Sequence, residues 1–392
     1  MPHLRWTTAG ESHGPELHVW MDGIPSGLPL LAEHVDEPLA RRQRGYGRGG
    51  RMKIESDRVR FAAGVRGGET LGSPIAMVIT NRDHASWLDR MPAGPFPSPP
   101  ERVTRPRPGH ADLAGGQKHD RHDLRDILER ASARETAARV AAGAVAARLV
   151  GDLGVRVGAR VVAIGGIADE RAAPVDAVAW EEELGRARDT DLRTVDATLE
   201  ARWREAIHAA SHAGDTLGGV VEAVAIGAPP GLGSHVHWDR KLDGRLAQAV
   251  MSVQAIKGVE IGLGFEGAHR PGSRVHDPIG YDAGARTFTR ASNGAGGLEG
   301  GVTNGAPIVV RAAMKPISTL RAALSTVDVV TKETHEAAVE RSDICAVAAA
   351  SYVVEAMVAL VLADAMLEKL GGDSMREVRR NLDGYRAQLA EY

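Results

Sequence analysis

The chain has 392 residues, with 48 Lys and Arg against 51 Asp and Glu and a net charge of −3. Its 43% apolar and 25% charged residues are ordinary for a globular protein and exclude a disordered tail, a collagen-like fibre and a disulfide-stapled scaffold. The unusual entries in the composition are 46 glycines and an aromatic share of 4%, which point to many places where backbone turns sharply or approaches something closely.

The start, Met1-Pro2-His3-Leu4-Arg5-Trp6, has no basic segment leading into an apolar run, and Cys345 has no internal partner. Both features favour the reducing cytoplasm as the compartment. Gly10-Glu11-Ser12-His13-Gly14 spells the Gly-x-Ser-x-Gly elbow of α/β-hydrolases. That elbow needs a strand before it and a helix after it. Here it lies near the N-terminus and leads through Pro15 into a strand-like alternation at 17–21, so a serine hydrolase is a rival that fails on context. What remains is a Ser-His pair between glycines, which suits either a polar turn or close approach to a ligand.

Residues 41–53 carry six positive charges and no acid. An Arg/Gly-rich nucleic-acid segment is one reading and a solvated loop another. The net-acidic chain and the single aromatic here favour a small polyanion with phosphate and carboxylate groups. Short β-branched or alternating runs follow at 59–63 and 74–80, and 92–108 is a Pro-rich surface loop. Arg105 to Asp112 adds Arg105, Arg107 and His110.

Helical periodicity runs over 123–153, where Leu124, Ile127, Leu128, Val140, Val145 and Leu149 mark one face and Arg125, Arg130, Arg134 and Arg139 punctuate it. Strands are expected at 156–164, 219–226 and 307–313. Between the last two, 292–305 holds six glycines but misses the dinucleotide fingerprint, since position 299 is Glu and no helix follows. Its amides suit a flat, phosphorylated cofactor. No Cys cluster or His-Glu-x-x-His exists, so no metal site is expected. Asp343 is read as the N-cap of a final apolar helix. The stretch 344–363 is long enough to span a bilayer, but Glu355 in its middle makes it a buried core helix. Strand runs interrupted by a few long helices give an α+β fold class.

Read together, Gly10–Gly14, Arg130-Ala131-Ser132-Ala133-Arg134-Glu135-Thr136-Ala137-Ala138-Arg139-Val140 and Arg341-Ser342-Asp343-Ile344-Cys345-Ala346-Val347 resemble the chorismate synthase family. Blocks at 41–53, 105–112, 254–260 and 292–305 match as well. The resemblance implies a single domain over 1–392, a β-α-β sandwich with a helical layer between two mainly antiparallel sheets, and a homotetramer. It implies the anti-1,4-elimination of phosphate from 5-enolpyruvylshikimate 3-phosphate to give chorismate, with reduced FMN required and no net redox change. The carried-over catalytic set is His13, near the leaving phosphate, His110, by the reduced flavin ring, Asp343, by flavin N5, and the hydrogen-bonding Ser12 and Ser132.

For the cofactor the resemblance implies Arg130, Ala131, Ser132, Gln254, Ala255, Gly300, Lys315, Pro316, Ile317, Ser318, Thr319 and Arg341. For the substrate it implies Arg42, Arg48, Arg134 and Arg341. The scarcity of aromatics then favours a flavin ring held by backbone and aliphatic groups. NADPH enters only as a possible reductant, and no added reductase segment is seen, so an external flavin reductase is the expected partner. Neither nucleic acid nor membrane is. Departures from the family pattern are Arg44, His119-Asp120 in place of Tyr-Gly, and Ala348 in place of Pro, which concern loop geometry and remove no proposed catalytic group.

Overall fold

In the strand Glu16–Asp22, the side chains of Leu17, Val19 and Met21 are buried while Trp20 is exposed, the two-residue alternation of a sheet with one covered face. The computed structural model describes residues 3–49, 56–340 and 342–392, and there this strand lies second in a four-stranded antiparallel sheet. Its order is Arg5–Ala9, Glu16–Asp22, Ile75–Thr80, Val59–Ala63. A five-stranded antiparallel sheet follows the order Ile256–Ile261, Ile308–Met314, Gly219–Ile226, Arg156–Ile164, Ile167–Ala168. The expected strands are therefore present, each within a residue of its expected bounds.

The helices are α1 (Ala32–Gln43), α2 (Asp112–His119), α3 (Arg125–Ala131), α4 (Thr136–Asp152), α5 (Ala177–Arg188), α6 (Ala197–His212), α7 (Leu242–Met251), α8 (Phe265–Ala268), α9 (Val347–Leu370) and α10 (Met375–Glu391). Helices α4 and α9 pack along each other. With α1 they form the layer between the sheets, α1 and α4 against the first and α9 against the second. The far face of the second sheet is covered by α5, whose Trp180 and Leu184 meet Val224, Ile226 and Val309. The β-α-β sandwich is thus the observed architecture.

An apolar helix without a polar face must be covered all round. Helix α4 is such a helix, Ala-rich and buried over most of its length. Helix α9 is long and apolar enough to cross a membrane, but it is mostly buried inside the fold. Its Glu355 is pushed towards the neutral form by burial and is opposed by Arg193, whose Nη2 lies 3.1 Å from Oε2.

Two expectations are corrected here. The periodic run 123–153 is not one helix: Ser132 adopts extended backbone (φ −63°, ψ 144°) and its hydroxyl accepts from the Arg134 amide, with a 3-10 turn at Ala133–Glu135 before α4. Nor does Asp343 cap α9, which begins at Val347 with Ala346 at its cap. The Gly47 carbonyl accepts the Ile344 amide (2.9 Å), and the Ile344 carbonyl accepts from Leu217 (2.9 Å). Those bonds hold 344–345 out of helical conformation and delay the helix. Among the family departures, Asp120 falls at the left-handed end of α2 (φ 52°), a conformation glycine takes at no steric cost and Asp tolerates.

Close approach of α4 and α9 depends on Gly143. A Cβ there would stand 2.2 Å from the Ala356 Cβ and 2.5 Å from its Cα, so the helices would have to separate. Gly143→Ala is expected to lose about 1–3 kcal/mol despite Ala's better helix propensity. Gly185→Ala in α5, where nothing lies within 4 Å, should gain up to about 1 kcal/mol. Urea unfolding of both variants checks this, and a stabilised Gly143→Ala would refute the packing argument.

Candidate active site

Burying two guanidinium groups side by side requires a counter-ion. Arg42, at the end of α1, and Arg134, in the turn before α4, are both buried, and Asp57 lies between them. Its Oδ2 accepts from Arg42 Nη2 at 2.9 Å and its Oδ1 from Arg134 Nη1 at 2.6 Å. Burial pushes the Asp57 carboxyl up, but the two arginines outweigh it and hold the group below the usual carboxylate range. Burial, with Arg134 and Arg48 adding repulsion, lowers Arg42 to about 10 against the pull of Asp57. Arg134 Nε also donates to Asn81 Oδ1 (2.8 Å), and the Asn81 amide donates to the carbonyls of Gly14 (2.7 Å) and Glu11 (3.2 Å). The first sequence motif is tied to the arginine pair by this route.

The break at Ser132 completes that motif. Ser12 Oγ donates to Ser132 Oγ at 3.1 Å, and the Ser12 amide donates to the Glu129 carbonyl. Ser12 sits in a turn between two antiparallel strands, so the strand-elbow-helix context of a hydrolase is absent. His13 packs beside it. Its Nδ1 meets Glu129 Oε1 at 2.8 Å and its amide donates to Oε2 at 2.7 Å. A carboxylate only accepts, so Nδ1 carries the proton of that bond. The ring stacks on Trp87, centroids 3.8 Å apart, and the Arg125 guanidinium stands 5.0 Å from the Trp87 ring centre. Arg125 also bonds Glu129 (3.3 Å) and Glu340 (3.0 Å). Glu129 is buried, but its bonds to His13, with Arg125 close by, hold it below the usual range.

His110 is organised in the same way. Its Nδ1 lies 2.5 Å from Asp112 Oδ1, while Arg107 Nε donates to Oδ2 at 2.9 Å. Despite burial, these two neighbours hold Asp112 well below the usual carboxylate range. Arg107 Nη1 donates to Thr319 Oγ1 (3.1 Å), and the Thr319 carbonyl accepts from Ser342 Oγ (3.2 Å). That chain leads to Asp343, whose Oδ2 pairs with Arg48 Nη1 at 2.7 Å and whose Oδ1 accepts the Gly49 amide at 2.6 Å. Gly49 must be glycine for this contact, because a Cβ would stand 2.9 Å from the Ser342 carbonyl oxygen. Arg341 and residues 50–53 of the basic run lie outside the described residues. A cavity of about 590 Å³ opens here, within the size range of small-molecule sites. Tyr46, Gly47, Arg48, Thr319, Glu340 and Ser342 are among its lining.

The residues expected at the cofactor form two connected groups and one outlier. Glu135 accepts from Thr8 Oγ1 (2.7 Å), Arg139 Nε (2.8 Å) and Gln254 Nε2 (2.9 Å). It also pairs with Arg130 at 3.7 Å and donates its amide to the Ser132 carbonyl, with Ala131 in the chain between Arg130 and Ser132. Arg130 donates to the Thr8 and Gly10 carbonyls. Ala255, in a left-handed conformation (φ 68°), accepts the Lys315 amide at 2.9 Å and so joins this group to the run Lys315, Pro316, Ile317, Ser318, Thr319. Gly300 lies apart, in the hairpin Leu298–Glu299 to Val302–Thr303 facing His235.

The donor set fits a phosphorylated ring with polar edges. Burial and nearby Lys257 depress the Lys315 ammonium, so two cations converge there. Gln254 Oε1 is buried with no hydrogen-bond partner, an acceptor ready for a ligand N–H. A Cβ on Gly109 would lie 3.7 Å from both Lys315 Nζ and Ser318 Cβ, which puts the His110 turn against that run.

The whole chain, not only this site, has relatives. The chorismate synthase family model matches residues 4–367. The chain belongs to the chorismate synthase family. It is 55% identical over 396 residues to a chorismate synthase of Trichlorobacter lovleyi, covering 99% of this chain and 100% of the relative. It is 57% identical over 390 residues to that of Geobacter sulfurreducens, with 97% and 98% covered. A crystal structure of chorismate synthase superposes with a TM-score of 0.80 at 45% identity, over 99% of both chains. Family members share the fold described above, and the family implies a flavin cofactor.

Sequence reading passed over Glu129, Asp112, Asp57, Asn81 and Trp87. Asp112 could have been found, since it follows His110 by two residues at a turn. Asp57 gave no signal, because its partners come from distant segments.

The carboxyls of Asp57, Glu129 and Asp112 are all depressed in the fold. Their stabilisation is fully present above the free-chain values near pH 4 and is lost as pH falls towards the lower folded values. Asp57→Asn should therefore cost about 3–5 kcal/mol at neutral pH, and the difference from wild type should shrink as pH drops below about 4. Urea unfolding across that range tests it; a pH-independent difference would contradict the electrostatic account.

Proposed function

We propose that the clustered arginines and the two carboxylate-backed histidines catalyse the anti-1,4-elimination of phosphate from 5-enolpyruvylshikimate 3-phosphate, yielding chorismate. The enzyme is a carbon–oxygen lyase of aromatic amino-acid biosynthesis. The observation that carries the assignment to residues is that the first motif joins the Ser132 break through Ser12 and joins Glu340 through Glu129 and Arg125. Arg42, Arg48 and Arg134 provide the positive field for a ligand with one phosphate and two carboxylates, and Asp57 and Asp343 balance that charge until the ligand arrives.

His13 acts as general acid towards the leaving phosphate. Glu129, accepting from Nδ1, fixes the imidazole plane. His110, oriented by Asp112 and Arg107, supports the charge of the cofactor ring. Asp343 assists removal of the C6 hydrogen, and arrival of the anionic substrate at Arg48 frees its carboxylate oxygen from the ion pair. Ser12 and Ser132 form the hydroxyl pair between the Arg134 amide and the His13 turn. Reduced FMN, held by Arg130, Ala131, Ser132, Gln254, Ala255 and 315–319, supplies when bound the reversible electron donation that this elimination needs without net redox change. Gly300 and Arg341 complete the proposed flavin set, and Arg341 also the substrate set. A homotetramer, an external flavin reductase and the cytoplasm complete the reading, with NADPH as a candidate reductant. The buried, unpaired Cys345, whose thiol burial raises to about 11, fits a reducing compartment.

Anaerobic protein with FMN and dithionite is expected to release phosphate from the enolpyruvyl substrate, and absence of release overturns the reading. His110→Ala and Asp343→Ala should each lose at least about 100-fold in kcat while still binding FMN by fluorescence titration. Arg48→Ala should chiefly raise KM; an unchanged KM would remove it from substrate capture.

A further inference from the structure

The last turn of α6 carries two imidazoles that the elimination does not use. His208 and His212 are exposed and stand one turn apart, a spacing that puts both side chains on one helix face. Their rings meet edge to face with centroids 4.4 Å apart, and their Nε2 atoms lie 3.2 Å from each other. Two nitrogens each about 2.05 Å from a tetrahedral ion are about 3.3 Å apart. The pair already has a chelating separation.

His208 also lines the cavity that holds Arg48, Thr319 and Ser342, with Ser211 and Asp215 beside it. Among the described residues no third His, Cys, Asp or Glu completes a cluster around the pair. Coordination beyond the two imidazoles therefore falls to water or to an oxygen of an anion in the cavity, as in open metal sites.

We propose that His208 and His212 form a two-imidazole site for a divalent first-row ion, Ni²⁺, Cu²⁺ or Zn²⁺, at the rim of the anion cavity, with a phosphate oxygen as a further ligand. Neutral imidazole is the donor these ions favour, and affinity for such a site rises towards Cu²⁺. The cavity is lined by Arg48 and Arg321 and also by Asp215 and Glu340, so an ion at this rim adds positive charge where an anion enters. The site stands on helix geometry and cavity lining, and so does not depend on the assignment of the elimination.

Calorimetric titration of Ni²⁺ and Zn²⁺ into the full-length protein at neutral pH tests it. Wild type is expected to bind one ion. His208→Ala and His212→Ala should each weaken Ni²⁺ binding at least about tenfold, or about 1.4 kcal/mol. His237→Ala, which alters an exposed histidine paired with Asp239, should leave the affinity unchanged. Equal Ni²⁺ affinity in wild type and both variants overturns the site. Inorganic phosphate, corrected for its own weak hold on the ion, should tighten Ni²⁺ binding in wild type and lose that effect in His212→Ala. If phosphate leaves wild-type affinity unchanged, the shared-ligand part of the proposal is overturned.

Discussion

Two buried guanidinium groups within reach of one another repel, and the fold accommodates them only because one carboxylate lies between. Asp57 is 3% exposed and bonds both Arg42 and Arg134. Removing a partner from such a buried set leaves an uncompensated charge, which is far more costly than never having built it. The arrangement also fixes geometry. Arg42 anchors the end of α1, Arg134 the turn before α4, and Asn81 carries the connection to the carbonyls of Gly14 and Glu11. One carboxylate thereby sets where the Ser12-His13 turn stands relative to the helical layer.

Around that point the site is made from chain that has stopped being regular. Ser132 interrupts what periodicity would extend as one helix, and the interruption exposes its hydroxyl to Ser12 and turns Arg134 inwards. The stretch 342–345 stays non-helical, and the helix starts three residues later than an N-cap at Asp343 would allow, so the carboxylate faces Arg48 and the Gly49 amide. Regular helix would have satisfied its own backbone groups and aimed these side chains along its surface. Each histidine then receives a buried carboxylate, Glu129 or Asp112, that fixes its ring orientation. The same carboxylates are held below the usual range by their bonds to His13 and His110, with Arg125 and Arg107 adding to the effect.

Much of the framework was legible in the chain. Strands at 17–21, 59–63, 156–164, 219–226 and 307–313 followed from alternation or β-branching, because a half-covered sheet enforces a two-residue repeat. The buried reading of the last apolar helix followed from Glu355, which could not sit unpaired in a bilayer and here finds Arg193. The break at Ser132 was not legible: Arg130-Ala131-Ser132-Ala133-Arg134 contains no proline or glycine, and the extended conformation is favoured by the Ser132 cap on the Arg134 amide together with the hydroxyl of Ser12, 120 residues away. The Asp343 cap was misread for a related reason. Asp before an apolar run is a strong local signal, but bonds from Gly47 and Leu217 outweigh it.

The sequence by itself determined the residue types, the local periods and, through motifs in fixed order, the family. It could do so because those features depend on neighbours along the chain and on which chemical groups are present at all. The tertiary structure decided the pairings: Asp57 with Arg42 and Arg134, Glu129 with His13, Asp112 with Arg107 as well as His110, and Asp343 with a glycine amide 294 residues distant. A carboxylate's partner and its protonation depend on distance and burial, and both arise only when separate segments are packed together.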